Sequence, residues 1–221
     1  MTTAICFDLD GTLVHWTRPH EAVLRETLAD HGIDPDDTLV ATVEETFWTA
    51  HDTMVESPFE QAMATALDEA DADGGDPAAM VETFRERTYE ATTVPDGARE
   101  SLASLGADDP LAVVTNGVRE WQVGKLAHHD LTDHFDVVVA SYEAGAHKPD
   151  PAPFDRLRDR LPADEYVMVG DDYEADVEGA RAAGFVPVHY EHEARSASDG
   201  ASGDQPRDAG PDLWATLRAL V

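Results

Sequence analysis

The chain has 221 residues, 42% of them hydrophobic, enough for one large domain or a core domain carrying a small insert. Asp and Glu number 46 against 15 Lys and Arg, and the resulting net charge of −31 repels nucleic acid and anionic membrane surfaces. No stretch approaches the ~18 apolar residues of a membrane span. The first apolar run is short and follows no basic segment, so no secretory signal is expected and the reading is cytoplasmic. Cys6 is the only cysteine, which excludes an intrachain disulfide and a cysteine metal cluster. Its place within an apolar run predicts core packing.

The acidic excess is spread along the whole chain, and Lys125 and Lys148 are its only lysines. This composition resembles that of proteins from halophiles that accumulate salt, in which ions screen self-repulsion. An anionic substrate therefore needs strong local positive charge from a metal ion, a helix N-terminus or a specific lysine.

The first predicted element is a strand over 4–9, running straight into Asp8-Leu9-Asp10-Gly11-Thr12. Residues i and i+2 of a strand point the same way, so Asp8 and Asp10 are expected to face one pocket at the strand's carboxyl end. Two neighbouring carboxylates there need a cation or a shared proton. About a hundred residues separate this strand from the next, too many for an ordinary crossover. The pattern predicts helices over 19–31, 36–56, 58–72 and 77–91, with Pro58 and Pro77 suited to first helical turns. The simplest account is a helical domain, 17–91, inserted above the sheet's carboxyl edge; the alternative is one long crossover against the sheet. In and beside this insert, Trp16, Arg18, Phe47, Trp48 and His51 are candidates for facing a substrate, though Phe47 and Trp48 more often simply pack a helical core.

Beyond 92 the rhythm becomes regular. Short Val-rich runs at 111–115, 137–140, 166–169 and 185–188 alternate with helical stretches near 96–105, 118–129, 150–160 and 173–183. Continuous apolarity suits strands buried on both faces, which predicts an α/β fold with a doubly wound, Rossmann-like parallel sheet. The domains are then 1–16 with 92–221 as the α/β core, and 17–91 as the helical insert. Residues 191–210 read as a flexible loop and 211–220 as a final amphipathic helix.

Three further groups fall at strand ends. Thr115-Asn116-Gly117 offers a hydroxyl and an amide to a phosphate, though Asn-Gly is also a common turn. Lys148 precedes Pro149 in an extended segment, either as a functional cation or as a solvated loop charge. Gly170-Asp171-Asp172 with Asp176 supplies hard oxygen ligands of the kind Mg²⁺ takes, or else an acidic helix N-terminus. His128, His129 and His134 lack metal-site spacing and read as packing or surface residues.

Taken in order, Asp8-x-Asp10-Gly11-Thr12, Thr115-Asn116, Lys148-Pro149 and Gly170-Asp171 with Asp176 resemble the four motifs of the haloacid dehalogenase-like hydrolases. The resemblance covers roughly 3–190. Gln122 and Lys125-Leu126, with Lys148-Pro149-Asp150-Pro151 and the long insert, look like the phosphatase branch with a helical cap. It implies Asp8 as nucleophile and Asp10 as general acid and base. It further implies Mg²⁺ on the Asp8 side chain, the Asp10 backbone carbonyl and Asp171. Thr115, Asn116 and Lys148 would bind phosphate, with Asp176 and Asp172 supporting the site. The implied substrate is a small phosphorylated metabolite, with nucleotide and phosphoglycolate both arguable. A sugar phosphomutase, a 2-haloacid dehalogenase and a non-catalytic phosphate-binding protein are the alternatives. Asp10 argues against the dehalogenase, whose members resemble one another in lacking that aspartate.

Overall fold

The computed structural model describes residues 1–72 and 74–190. The loop and helix expected over 191–220 lie outside the described residues. In chain order the elements begin with β1 (Thr3–Phe7), β2 (His15–Trp16), α1 (His20–Asp30), α2 (Asp37–Asp52), α3 (Pro58–Glu69) and α4 (Pro77–Glu90). Then come β3 (Thr92–Thr93), α5 (Ala98–Leu105), β4 (Leu111–Thr115), α6 (Arg119–His128), β5 (Val137–Ala140), α7 (Ser141–Ala144) and α8 (Ala152–Arg160). The last described elements are β6 (Glu165–Gly170), a π-helical turn (Tyr173–Glu178), α9 (Gly179–Ala182) and β7 (Val186–His189).

Two compact units divide the chain: Met1–His15 with Val94–Val221, and Trp16–Thr93. The first unit is built on a parallel sheet of order β5-β4-β1-β6-β7. From β1 the chain passes to β4 and β5 on one side, then returns to place β6 and β7 on the other. This is the doubly wound α/β architecture, with its switch point at β1. Alternation along the strands divides the core between the two faces. Ile5, Phe7, Leu111, Val113 and Val169 pack with Leu102 and Leu105 of α5 and Leu126 of α6. Ala4, Cys6, Ala112, Val114 and Met168 pack with Phe154 and Leu157 of α8 and Ala180 of α9. Both faces are covered, so these strands read as unbroken apolar runs. Each large side chain fully buried there, such as Phe7 or Phe154, contributes about 1.5–3 kcal/mol. Cys6 is a buried free thiol on this second face, and burial pushes its ionisation far up.

The second unit is a small helical bundle in which α2 packs on α3, α3 on α4 and α4 on α1. Its buried stripe includes Val23, Leu24 and Leu28 of α1, Val40 and Val43 of α2, Met63 and Ala66 of α3, and Met80 and Phe84 of α4. Helix starts follow the local chemistry. Asp36 caps α2 by accepting from the Leu39 N–H at 2.9 Å, and Pro58 and Pro77 occupy first turns. Predicted helices 36–56 and 58–72 end earlier, at Asp52 and Glu69, where the chain turns through Met54 and Asp71 at positive φ. Near the ends of this unit the Thr17 N–H and hydroxyl both donate to the Ala91 carbonyl, at 2.9 and 3.0 Å. Among the described residues, no helix is long and apolar enough to cross a membrane.

Candidate active site

The carboxyl ends of β1, β4 and β6, the three central strands, each deliver a polar side chain. Beyond Phe7 the ladder continues for one more bond, from the Asp8 N–H to the Val169 carbonyl at 2.8 Å. The chain then folds into a turn in which the Leu9 carbonyl accepts from the N–H groups of Leu13 and Val14, both at 2.9 Å. Gly11 sits in that turn at φ +90°, and a Cβ there would lie 2.4 Å from the Asp171 carboxylate. At the end of β6, a Cβ on Gly170 would lie 2.2 Å from the Asp176 carboxyl group. Both glycines therefore allow backbone and acidic side chains to approach more closely than any other residue would.

Lys148 Nζ is the centre of the buried cluster. It donates to Asp8 Oδ1 at 2.8 Å, to Asp176 Oδ1 at 2.6 Å and to the Val114 carbonyl at 2.7 Å, which uses all three of its protons. Its own backbone is pinned by Asn116. The Lys148 N–H donates to Asn116 Oδ1 at 2.8 Å, and Asn116 Nδ2 donates to the Lys148 carbonyl at 3.0 Å. Asn116, read from the sequence as a phosphate contact, thus has its side-chain amide engaged in positioning the lysine. Thr115 is buried at the end of β4, with its Oγ1 3.0 Å from Gln122 Nε2.

The wide π turn after β6 arranges the acids there. The Asp172 side chain caps the turn by accepting from the Ala175 N–H at 2.9 Å, and its backbone N–H donates to Asp176 Oδ2 at 3.1 Å. Asp171 Oδ1 accepts from the Thr12 hydroxyl at 3.2 Å. Among the described residues, Asp8, Asp171 and Asp176 form the one group suited to a metal ion, with a ligand atom from each lying within 4.8 Å of the others. Asp172 stands outside it.

Charge balance tests whether that group fits a cation. Three carboxylates face one ammonium, so the cluster carries excess negative charge in a largely buried setting. Burial raises the Asp8 carboxyl most. Lys148 opposes the rise, the Asp176 charge adds to it, and the net effect is a group pushed up to about 7. For Lys148, burial works against the ammonium, but Asp8 and Asp176 outweigh it and hold the group above its usual range. A hard divalent cation held by Asp8 and Asp171 would supply the missing positive charge, so the donor set fits Mg²⁺.

Asp10 is held separately. Strand geometry ends at Phe7, and Asp10 lies within the turn, so the alternation that carries Leu9 to the Phe7 side no longer governs it. Its carboxylate meets α6 instead: Lys125 Nζ donates to both Oδ1 and Oδ2 at 2.6 Å, and Gln122 Nε2 donates to Oδ2 at 3.0 Å. Sequence reasoning noted Gln122 and Lys125 but assigned them no role. It missed Ser141 and His147 altogether: the Ser141 hydroxyl accepts from the Gly117 N–H at 2.9 Å and lies 2.7 Å from His147 Nδ1. Of the residues read as facing a substrate, Arg18 pairs with Glu26, and the Phe47 ring meets Trp48 edge-on and His51 and Phe59 at a tilt in the helical unit.

Comparison with known proteins identifies the family. The haloacid dehalogenase-like hydrolase family matches residues 2–184. The chain is 31% identical to the ribulose-1,5-bisphosphate 5-phosphatase of Halopiger xanaduensis over the full length of both. It is 32% identical to the phosphoglycolate phosphatase of Pectobacterium atrosepticum, over 81% of this chain and 76% of that one. Its fold matches that of the HAD-hydrolase YfnB of Bacillus subtilis, a structure solved with magnesium bound, with a TM-score of 0.65, 24% identity and coverage of 84% and 87%. The chain belongs to the haloacid dehalogenase-like hydrolases.

Proposed function

We propose that this hydrolase is a Mg²⁺-dependent phosphatase that cleaves a small phosphate monoester through an aspartyl-phosphate on Asp8. The observation that carries the reading is the buried Asp8–Lys148–Asp176 cluster, with Asp171 alongside. It pairs a nucleophilic carboxylate with a fixed cation and leaves excess negative charge for a metal to balance. Asp8 and Asp171 would hold Mg²⁺, with the Asp10 backbone carbonyl as a further ligand. Bound there, the ion neutralises phosphoryl charge and lessens its repulsion from the carboxylates.

The chain's own groups perform the transfer. An Asp8 oxygen attacks phosphorus as the bond to the leaving alcohol breaks, and Asp10 gives that alcohol its proton. Asp10 then takes a proton from water as the water oxygen attacks the same phosphorus. The Asp8–phosphate bond breaks, and inorganic phosphate leaves. Thr115 orients the phosphoryl oxygens, Lys148 places its fixed positive charge beside Asp8 and offsets the phosphoryl charge, Asn116 and Asp176 fix Lys148, and Asp172 fixes Asp176. The relatives named for ribulose-1,5-bisphosphate and phosphoglycolate support a small phosphorylated metabolite as substrate. The acidic composition supports a protein that works in high salt in the cytoplasm.

The decisive assay is release of phosphate from p-nitrophenyl phosphate, ribulose-1,5-bisphosphate and phosphoglycolate in molar KCl, with and without Mg²⁺. Turnover that needs both Mg²⁺ and Asp8, and that vanishes in Asp8→Asn, is the expected result. Turnover persisting in a clean Asp8→Asn preparation rules out the covalent route.

A further inference from the structure

Lys125 is one of two lysines in a chain that carries 46 acidic residues. Elsewhere the structure uses arginine for surface ion pairs, as at Arg25, Arg87, Arg119 and Arg160. Both lysines are buried, and each grips one aspartate of the first motif: Lys148 holds Asp8 and Lys125 holds Asp10.

The geometry around Asp10 is one-sided. The Lys125 side chain is 5% exposed, whereas that of Asp10 is 34% exposed, so the carboxylate is gripped from within the fold and open on its other side. Both carboxylate oxygens lie 2.6 Å from Nζ, so a single ammonium bridges the two and holds the group in position. Gln122, one helical turn before Lys125 on α6, adds a second restraint. Its Nε2 lies 3.0 Å from Asp10 Oδ2, 3.0 Å from Thr115 Oγ1 and 2.9 Å from the Asn116 carbonyl. A carboxylate and a carbonyl both demand a donor, so the amide can face them only through its nitrogen. Gln122 thereby ties Asp10 to the end of β4.

We propose that Lys125, assisted by Gln122, is a positioning residue that fixes the Asp10 carboxylate for proton exchange with the leaving alcohol and then with water. This rests on the phosphatase reading above. In the first step the proton passes from Asp10 to the departing oxygen as the Asp8–phosphorus bond forms. In the second it returns to Asp10 from the attacking water. Lys125 transfers nothing; it keeps one oxygen of Asp10 within reach of both partners.

Leaving-group dependence separates this role from a merely structural one. Single-turnover alcohol release is measured with enzyme in excess, in molar KCl with Mg²⁺, from glycerol phosphate and from p-nitrophenyl phosphate. A glycerol alkoxide needs a proton as it leaves, whereas p-nitrophenolate does not. In Lys125→Met, release from glycerol phosphate is expected to fall about 10–100-fold, part of the ~10²–10⁴ that a positioned acid supplies. Release of p-nitrophenolate should change far less, and KM for either substrate should hold. Gln122→Met should show the same asymmetry at smaller size, and it decides the matter if Lys125→Met fails to fold. Equal losses on both substrates, a rise in KM alone, or unchanged rates would overturn the proposal. If wild-type protein releases neither alcohol, or Asp8→Asn releases both, the phosphatase reading itself has failed.

Discussion

Ion pairs form in two regions of the molecule, under opposite conditions. In the helical unit, Arg87 pairs with Glu26 and Asp30, Arg18 with Glu26, and Arg25 with Glu21 and Asp37. Most of the carboxylates in that network are close to half exposed or more, with Asp37 at 97%. At the ends of β1 and β6, the side chains of Lys148 and Asp176 are 2% and 1% exposed. Surface pairs in water contribute little, because the ions gain about as much from solvent as from each other. Buried pairs are costly to form and far costlier to break, since a partner left behind has no solvent. The first arrangement offsets repulsion in a very acidic chain. The second holds charge where chemistry needs it.

The largest effect that would sharpen this contrast is expected from Lys148→Met. Removing the ammonium strands Asp8 and Asp176 together, and breaking a buried pair this way costs about 3–5 kcal/mol. Denaturant melts should show that loss, and phosphatase turnover should fall by at least ~10²-fold through lost charge stabilisation at the phosphoryl group. A melt matching wild type would mean that the cluster relaxes by taking up protons or water.

Asp8 provides the next test. Its carboxyl is raised to about 7, so between the unfolded value and 7 the folded protein holds a proton that the unfolded chain has released. Stability of the metal-free protein should therefore decline as pH rises through that window, by a few kcal/mol at most. General carboxylate repulsion gives a slope of the same sign, so the diagnostic is the difference: Asp8→Asn should have the shallower slope. Mg²⁺ should restore more stability at pH 8 than at pH 5.5, because below 7 protons compete with the cation for Asp8. Parallel slopes in EDTA for wild type and Asp8→Asn would contradict the shifted group.

How far the sequence reveals all this depends on range. The strands were legible because β1, β4 and β6 are buried on both faces, and a run such as Leu111–Thr115 has no polar break. Helix starts were legible where the signal is local, as at Asp36 or Pro77. The partners of Asn116 and Lys125 were not, because they lie 32 and 115 residues away and no local period encodes them. Nor was the π turn over Tyr173–Glu178, which shares its composition with an ordinary acidic helix start. Asp10 falls beyond Phe7, where the strand stops, so alternation alone does not specify the partners of its carboxylate.

Salt sets the smaller effects. Lowering KCl from molar to millimolar should depress the melting midpoint of the wild type, since a net charge of −31 then repels itself unscreened. An unchanged midpoint would mean that the surface arginine network already suffices.

The smallest effect belongs to Arg87→Met, and its salt dependence is the finest probe of the contrast. In molar KCl the variant should lose less than ~1 kcal/mol, the usual yield of exposed pairs, with turnover unaltered. At low salt the loss should grow, because the substitution both breaks the contacts to Glu26 and Asp30 and adds to the unscreened negative charge. The cost of Lys148→Met should be nearly the same at both salt concentrations, since mobile ions do not reach a side chain 2% exposed. Measured together, the two salt slopes distinguish charge that stabilises by screening from charge fixed in place by the fold. Matching slopes would mean that solvent reaches the cluster at the strand ends as freely as it reaches the helical surface.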